Sequence, residues 1–410
     1  MVMQYHLHEK AGVARSGEMT RTPTITGRAR HAAADSPRNA PFSPPAASPA
    51  ALADTDAGGP GLDHAGRGVD HAGRGVDHAG QGVDHAGRGV DHAGRDAPEV
   101  DLSAVIVAVS HDAPRVLCVS RPGAPDALPS GPLEARHRTL EGGLRSWVQT
   151  QTGQTLGYVE QLYTFGDRNR LLGADGARAR VLSIGYLALV REARHDEAGG
   201  VLWRDWYRYF PWEDHRAGPP KMLGRIERAL KRWVADAAGA AEKRVREQRL
   251  RLAFGLRDIP WSDDRVLERY ELLYEAGLVR EAHRDDQKPW AKPDEALDSG
   301  ESMLADHRRV LATAISRLRG KIKYRPVVFE LMPPQFSFLQ LQRAVEGLAG
   351  LRLHKSNFRR LVESQGLVEE TGEVASGTGG RPARLLRFRT DVLRERPLPG
   401  GRLPVARGKA

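Results

Sequence analysis

The stretch His354–Ser364, with the sequence HKSNFRRLVES, decides how the last quarter of the chain is interpreted. Phe358, Leu361 and Val362 stand at positions i, i+3 and i+4, so they share one side of a helix and are expected to pack on the preceding helix. The other side keeps basic, amide and hydroxyl groups: Lys355, Ser356, Asn357, Arg359 and Arg360. Arg and Asn side chains can make bidentate contacts with guanine and adenine edges in the major groove. The stretch therefore predicts a helix that reads DNA.

The elements around this stretch predict a winged helix. The expected order is a short strand, a helix, a turn, the helix above and a hairpin with a Gly-rich tip: Val327–Leu331, Ser337–Leu348, Lys355–Gln365, Leu367–Glu370, Gly372–Gly380 and Arg384–Phe388. A helix, a turn, a second helix and a two-stranded wing is the winged-helix order. Arg381 and Arg384, with Arg387 and Arg389, are candidate phosphate contacts of the wing.

The charge of the chain supports this interpretation. Of the 410 residues, with a formal net charge of +10, positions 303–410 carry 21 Lys and Arg against 9 Asp and Glu. Residues 1–96 and 97–302 are close to neutral. Such a concentration of positive charge at one end of a chain indicates a polyanion as the partner of that segment.

Upstream, the pattern predicts a compact α/β domain. Four β-branched runs read as strands: Leu102–Ser110, Arg115–Ser120, Gln161–Gly166 and Val181–Val190. Between the second and third of these, Leu140–Thr152 has helical spacing, and Gly153 is placed to end the helix. Strand, strand, helix, strand, strand is the order of one α/β unit.

Five segments follow from these patterns. We predict a disordered tail with heptapeptide repeats at 1–98, an α/β domain at 99–215, a helical connector at 216–302, a winged-helix (α+β) domain at 303–395 and a flexible tail at 396–410. Connector helices are expected at Met222–Ala237, Glu242–Leu252 and Asp263–Ala276, with a loop from His283 to Ser299, and a further helix at Met303–Leu318. The repeats hold five histidines, but we interpret them as a tandem duplication and expect no metal there.

Several classes of protein are excluded. The single cysteine, Cys118, cannot form an internal disulfide or a thiolate-rich zinc site. No apolar run approaches the ~18 residues that span a bilayer, and Met1–Lys10 lacks the pattern of a secretory signal. We expect a cytoplasmic protein that acts at the bacterial nucleoid.

The α/β domain contains a stretch that resembles the Nudix box. Residues 128–131, LPSG, are followed by a helix ending in Gln151, Thr152 and Gly153, one residue further on than the Nudix family spacing. Aligned on Gly153, the family's Arg-Glu pair falls on Ser146 and Trp147, and its paired metal-binding glutamates fall on Thr150 and Gln151. Hard cations need anionic oxygen ligands, which these residues do not supply. We therefore expect no catalytic residues, no metal and no enzyme activity; Glu134 and Glu141 remain nearby, which leaves residual ADP-ribose pyrophosphatase activity open.

A Nudix-like domain joined to a winged helix resembles the NrtR group of Nudix-related transcriptional regulators of NAD metabolism, including the alphaproteobacterial NadQ proteins. The segments that carry the resemblance are Tyr158–Arg168, Val181–Leu189, Trp203–Trp212, Lys355–Arg360 and Gly379–Ala383. The resemblance implies a repressor of NAD biosynthesis or salvage genes, with an α/β Nudix-like sandwich that senses ADP-ribose, NAD or a related nucleotide. Double-stranded DNA and the effector are the implied partners, no cofactor is required, and a homodimer suits a two-fold operator.

A dinucleotide pocket needs cations for the pyrophosphate, an acceptor for the ribose hydroxyls and a ring for the base. The candidate residues for these roles are Arg121, Arg168, Arg170 and Arg180 as cations, Asp167 as the acceptor, and Phe165, Tyr186 or Tyr163 as the ring. The cluster Trp203–Trp212 is expected to be core at a domain junction.

Two other functions stay open on the sequence. One is an active Nudix-type hydrolase of ADP-ribose or another nucleoside diphosphate fused to a DNA-binding domain. The other is a scaffold that binds DNA without sensing a ligand and recruits partners through its tail and connector.

Overall fold

The computed structural model describes residues 98–110, 112–167, 181–192, 200–287, 297, 299–375 and 382–391. The predicted N-terminal tail up to residue 97, the repeats and the C-terminal tail lie outside these ranges. Among the described residues, no helix is both long and apolar enough to cross a membrane.

A mixed six-stranded sheet forms the first part of the described chain. Its strands are β1 (Glu99–Ser110), β2 (Ala113–Val119), β3 (Ser130–Pro132), β4 (Tyr158–Phe165), β5 (Val181–Leu189) and β6 (Val201–Asp205). The strand order is β4-β5-β1-β2-β6, and β3 pairs with β1. β1 and β5 run parallel, whereas the other pairs are antiparallel. The sequence had predicted four of these strands and missed β3 and β6.

Helix α1 (Leu140–Thr152) covers one face of the sheet and has the predicted bounds. The Thr139 side chain accepts a hydrogen bond from the Gly142 amide at its start, and Gly153 ends it in the left-handed conformation at φ 66°. Leu144 and Val148 of α1 are fully buried against even-numbered residues of β1. Alternation along β1 sends its odd-numbered residues, such as Val105 and Val107, to the other face.

The described part of the connector contains four helices: α2 (Leu223–Ala235), α3 (Ala240–Phe254), α4 (Val266–Glu275) and α5 (Arg280–Asp285). Helix α5 corrects the predicted loop from His283 to Ser299, because His283 lies inside it. The cluster Trp203–Trp212 is core, as expected: Trp206, Tyr209, Phe210 and Trp212 are completely buried.

Helix α6 (His307–Ile322) covers the second face of the sheet. It begins four residues later than predicted, because the backbone of Met303 and Leu304 pairs with Asp126 in the loop after β2. A Cβ built on Gly185 of β5 would lie 3.0 Å from Val310 of α6, so the helix packs directly on the sheet.

The last helices are α7 (Phe338–Ala349) and α8 (Lys355–Ser364), followed by the hairpin β7 (Val368–Ala375) and β8 (Ala383–Phe388). The predicted strand Val327–Leu331 is wrong: these residues form a short 3-10 helix. The extended pairing occurs instead at Phe336, which exchanges two backbone hydrogen bonds with Leu386 of β8, of 2.9 and 2.8 Å. The described residues thus contain the predicted α/β sandwich, the helical connector and a C-terminal pair of helices followed by a two-stranded hairpin.

Buried ion pairs join these parts. The Glu213 carboxylate accepts hydrogen bonds from Arg269 of α4 at 2.5 and 2.8 Å and from Arg319 of α6 at 2.7 Å. Burial raises the pKa of Glu213, but the two guanidinium groups outweigh this and hold the pKa below its usual range. Arg319 also donates to the Leu348 carbonyl of α7 at 2.8 Å. The sheet, the connector and the winged helix thus share one charged cluster.

Candidate nucleic-acid interface and effector site

Helix α8 presents a polar face to solvent, as the sequence predicted. Phe358 and Val362 are buried in the core together with Leu341 and Val345 of α7. The predicted DNA-contact residues of this helix, Lys355, Ser356, Asn357, Arg359 and Arg360, are all exposed. The buried stripe therefore fixes which face of α8 is available to a ligand.

The two adjacent arginines of α8 differ in their contacts. Arg359 forms an ion pair with Glu363 at 2.8 Å, and its guanidinium lies 5.0 Å from the centre of the Phe338 ring. Arg360 comes two residues after Phe358, so it is turned about 200° away from the core. Within the described part of the chain, no hydrogen bond or ion pair is formed by the side chains of Lys355, Asn357 and Arg360. These three can meet a ligand without first breaking a contact.

Glu346 of α7 positions the start of α8. Its carboxylate is almost completely buried and accepts a hydrogen bond of 2.9 Å from the Leu353 amide, just before α8. Gln342 donates to the carbonyl of the same Leu353 at 3.1 Å. Sequence analysis missed this residue because an isolated Glu on a helix usually faces solvent.

The arginines of the wing are paired with acidic neighbours. Arg384 donates to Glu370 at 2.8 and 3.0 Å, and Arg387 donates to Glu369 at 2.6 Å. All four side chains are substantially exposed, so water and phosphate can compete with these pairs. Arg381, the other predicted wing contact, lies outside the described residues.

The residues at the Nudix box positions are engaged in structural hydrogen bonds. The Gln151 side chain accepts from the Ser130 amide at 3.1 Å and donates to the Ser130 carbonyl at 2.7 Å. The Trp147 indole donates to the Pro132 carbonyl at 2.8 Å and packs so closely on Gly131 that a Cβ there would lie 2.4 Å from its ring. These side chains join α1 to β3, and they offer no carboxylate to a cation.

The two nearby glutamates are each paired with an arginine. Glu134 contacts Arg136, and Glu141 accepts from Arg145 at 2.9 Å. Among the described residues, no group of three or more His, Cys, Asp or Glu side chains is arranged to hold a metal ion. The side chains at these described positions do not fit the divalent cation that the Nudix resemblance would bring.

The structure separates the predicted effector residues. Phe165 is buried on the α6 face of the sheet, whereas Tyr186 lies on the α1 face and donates to Gln161 at 3.3 Å. One ligand therefore cannot stack on both rings. Arg121 is exposed in the loop after β2, and Asp167 is exposed directly after β4. Arg168, Arg170 and Arg180 lie outside the described residues.

Polar groups line the α6 face of the sheet beside Phe165. The hydroxyls of Ser103 and Ser183 lie 3.1 Å apart and are buried, and Ser103 also donates to Asp101 at 3.2 Å. Burial raises the pKa of the Asp101 carboxyl to about 6; the Ser103 hydrogen bond lowers it and the charge of Glu99 raises it. Ser183 is paired with both Asp101 and Phe165 across neighbouring strands, so these groups lie side by side.

Comparison with known proteins finds a family model that matches the C-terminal region. The NrtR DNA-binding winged helix domain matches residues 328–388. An ADPR responsive transcriptional repressor NtrR from Acinetobacter baylyi is 34% identical over 119 residues, which are 29% of this chain and 46% of that protein. The match thus spans about half the length of this relative.

Similar solved structures include Shewanella oneidensis NrtR complexed with a 27mer DNA, at 19% identity and a TM-score of 0.41, covering 72% of this chain and 95% of that one. The NUDIX domain of the same protein complexed with ADP ribose is 21% identical, with a TM-score of 0.25, and covers 35% of this chain and 94% of that one. A MutT/nudix family protein from Enterococcus faecalis is 16% identical, with a TM-score of 0.40, and covers 72% and 87%. Residues 328–388, which the NrtR DNA-binding winged helix model matches, are the part of the sequence-inferred resemblance that these comparisons support.

Proposed function

We propose that this protein is a ligand-responsive DNA-binding repressor of NAD biosynthesis or salvage genes. The observation that carries the proposal is the winged helix itself, whose second helix exposes Lys355, Asn357 and Arg360 opposite a buried stripe. The Acinetobacter baylyi relative is described as an ADPR responsive transcriptional repressor, which supports ADP-ribose as the effector to test first. NAD and related nucleotides are the other candidates.

DNA recognition divides between α8 and the wing. Asn357, Arg359 and Arg360 contact base edges in the major groove, and Lys355 and Ser356 contact the backbone next to them. Arg384 and Arg381 of the wing bind phosphates, for which Arg384 exchanges Glu370 for the DNA. The protein acts as a homodimer on a two-fold operator in the cytoplasm, since two recognition helices are needed for two half-sites.

The Nudix-like domain senses its ligand and does not hydrolyse it. Gln151 and Trp147 occupy positions where a hydrolase needs carboxylates, and both are committed to the backbone of β3. Asp167 and Phe165 belong to the effector site, together with Arg121 and the arginines at 168, 170 and 180. Tyr186 lies on the opposite side of the sheet, where it packs in the core that faces α1.

Binding to DNA from upstream of NAD biosynthesis genes tests the proposal, measured against scrambled DNA at fixed salt with and without ADP-ribose or NAD. We expect selective binding that a nucleotide changes. Arg359→Ala and Arg360→Ala should each weaken site-specific binding by about 1–3 kcal/mol if they read a base. Because Arg359 must first leave Glu363, Arg360→Ala should have the larger effect. Equal binding to both DNAs would refute the proposal.

Hydrolysis is tested separately. The purified protein is incubated with ADP-ribose and Mg²⁺ or Mn²⁺, and release of AMP is measured. We expect none above the level of buffer. Metal-dependent release that Glu141→Gln abolishes would establish the alternative function, a nucleoside-diphosphate hydrolase joined to a DNA-binding domain.

A further inference from the structure

Helix α6 carries an arginine into the region of the proposed effector site. The Arg309 guanidinium contacts the Asp167 carboxylate just after β4, and it lies 5.4 Å from the centre of the Phe165 ring. The same guanidinium pairs with Glu271 of α4 at 2.5 Å and with Asp306 at 3.3 Å. One side chain therefore joins the sheet, the connector and the helix that leads into the winged helix.

The exposure of the partners is unequal. The Arg309 side chain is only 13% exposed, whereas the Asp167 side chain is 55% exposed. A ligand arriving from solvent thus reaches the Asp167 carboxylate more readily than the guanidinium behind it. The more exposed partner is a carboxylate, which accepts hydrogen bonds from hydroxyl groups and repels a phosphate, so a hydroxyl-bearing group is favoured at Asp167.

We propose that Arg309 is a positioning residue that competes with the ribose hydroxyls of the effector for the Asp167 carboxylate. This inference rests on the proposed sensing function and adds the means of its regulation. A ribose hydroxyl can donate a hydrogen bond to this carboxylate, which is what the Arg309 guanidinium does when no ligand is bound. Binding of the ribose releases α6 from β4 while Arg309 keeps Glu271 and Asp306.

Release at this point reaches the DNA-binding end of the chain through α6. Arg319, ten residues further along the same helix, is bonded to the Leu348 carbonyl near the end of α7. Lys321 contacts Glu160 and donates to Tyr158 at 2.8 Å, so α6 touches β4 at both of its ends. Loss of the Arg309 contact weakens the attachment of α6 at the end of β4, whereas the Lys321 contact near the other end of the helix is kept.

The competition predicts the direction in which ADP-ribose affinity changes when Arg309 is replaced. When Arg309 is replaced, the ligand no longer has to break an ion pair, so ADP-ribose should bind more tightly and affect DNA binding less. An ion pair of this exposure contributes up to about 1 kcal/mol, which corresponds to a change in the Kd for ADP-ribose of about two- to fivefold. A residue with a purely structural role would give weaker ADP-ribose binding or none of these changes.

The experiment uses the full chain and the variants Arg309→Met, Asp167→Asn and Arg317→Met. Arg317 lies on the exposed side of the same helix and is the matched control. ADP-ribose binding is measured by calorimetry, and operator affinity is measured by fluorescence anisotropy with and without saturating ADP-ribose. We expect Arg309→Met to lower the Kd for ADP-ribose about two- to fivefold. The ratio of operator affinities measured with and without ADP-ribose should move toward 1. Asp167→Asn should weaken the binding of ADP-ribose, and Arg317→Met should match the wild type in both measurements.

The results separate the inference from the function on which it rests. If Arg309→Met weakens ADP-ribose, the guanidinium binds the ligand itself and the competition is refuted. If Arg309→Met leaves both measurements as in the wild type, the inference falls and the sensing function stands. If the wild type binds the operator but does not bind ADP-ribose, sensing of this nucleotide falls and the inference with it. If circular dichroism shows that Arg309→Met does not fold, Arg309→Lys replaces it. Lysine keeps the charge but lacks the planar guanidinium, so it must change the ADP-ribose affinity and the ratio of DNA affinities in the same directions, by smaller factors.

Discussion

Replacing Glu213 by Gln tests whether one buried carboxylate holds the sheet, the connector and the winged helix together. Three hydrogen bonds from Arg269 and Arg319 end on this side chain, which is 1% exposed. A Gln amide keeps the shape but loses the charge and turns two N–H donors toward the guanidinium groups. Both arginines then stay buried without a carboxylate, and their other acceptors are the Tyr207 hydroxyl and the backbone carbonyls of Ala253, Ser262, Asp263, Leu348 and residue 213 itself.

The size of the effect follows from these contacts. Hydrogen bonds to charged groups contribute ~1.5–3 kcal/mol each, but they are not additive in one cluster. Breaking a buried ion pair by removing one partner costs ~3–5 kcal/mol. We expect this loss in the free energy of unfolding, with a Tm lowered by roughly 10 °C. Because the pKa of Glu213 is depressed from 4.5 in the folded state, its contribution is fully present above pH 4.5 and is lost as the pH falls through the folded pKa.

Tryptophan fluorescence and circular dichroism together make a sharp assay. All seven tryptophans precede residue 303, so fluorescence reports on the sheet and the connector, whereas circular dichroism also reports on α6, α7 and α8. Urea unfolding of the wild type should give coincident curves. In Glu213→Gln the dichroism should begin to fall at lower urea, since α6 and α7 lose their tie to the connector. Glu363→Gln is the control, because it removes an exposed pair and should cost less than about 0.5 kcal/mol. A loss in Glu213→Gln no larger than in this control would refute the reasoning.

Three further predictions concern charge and the tail. Asp101→Asn should stabilise the protein at pH 8 by at most about 3 kcal/mol and have little effect below pH 4. The pKa of Asp101 is about 6 in the folded state against 3.8 for the free side chain, so its ionisation opposes folding as the pH rises through this window. Urea unfolding at the two pH values measures the difference in stability. Arg384→Ala should weaken binding to operator and scrambled DNA alike and reduce the slope of log affinity against log salt by about 1, and a loss confined to the operator would mean that Arg384 reads a base. Deletion of residues 1–96 should leave the operator Kd nearly unchanged, and a large increase would show that the tail takes part in binding.

Local signals in the sequence predicted the elements that local interactions determine. Helix α1 has its predicted bounds because Thr139 caps its start and Gly153 ends it, and both signals are readable from residue type. The polar face of α8 was predicted in the same way, from the spacing of Phe358 and Val362. The strand β3 was missed because its three residues, Ser130–Pro132, form no periodic pattern and are held by β1 and by the side chain of Gln151.

Long-range pairing explains the rest of the differences. Val327–Leu331 is rich in β-branched and aromatic residues, yet Phe336 takes the place beside β8 and leaves the earlier segment to form a 3-10 turn. The contact between Arg309 and Asp167 joins residues 142 positions apart, so no pattern within either segment reveals it. A separation of 106 positions likewise hides the pairing of Glu213 with Arg319, and from the sequence alone both arginines are expected to be surface charges.

Helix α6 belongs equally to the sheet and to the winged helix, and this limits how the chain can be divided. At its start, the ring of His307 accepts a hydrogen bond of 3.0 Å from the Leu128 amide, which requires a neutral imidazole; burial lowers the pKa of His307 to about 4 and keeps it neutral. Near its end, Arg319 is bonded to α7. A cut at residue 303 would expose the face of the sheet that carries Val105 and Val107, because α6 is its cover. A shift of α6 on the sheet is therefore expected to move α7 and, through Glu346 and Leu353, the start of α8, the proposed DNA-contact helix.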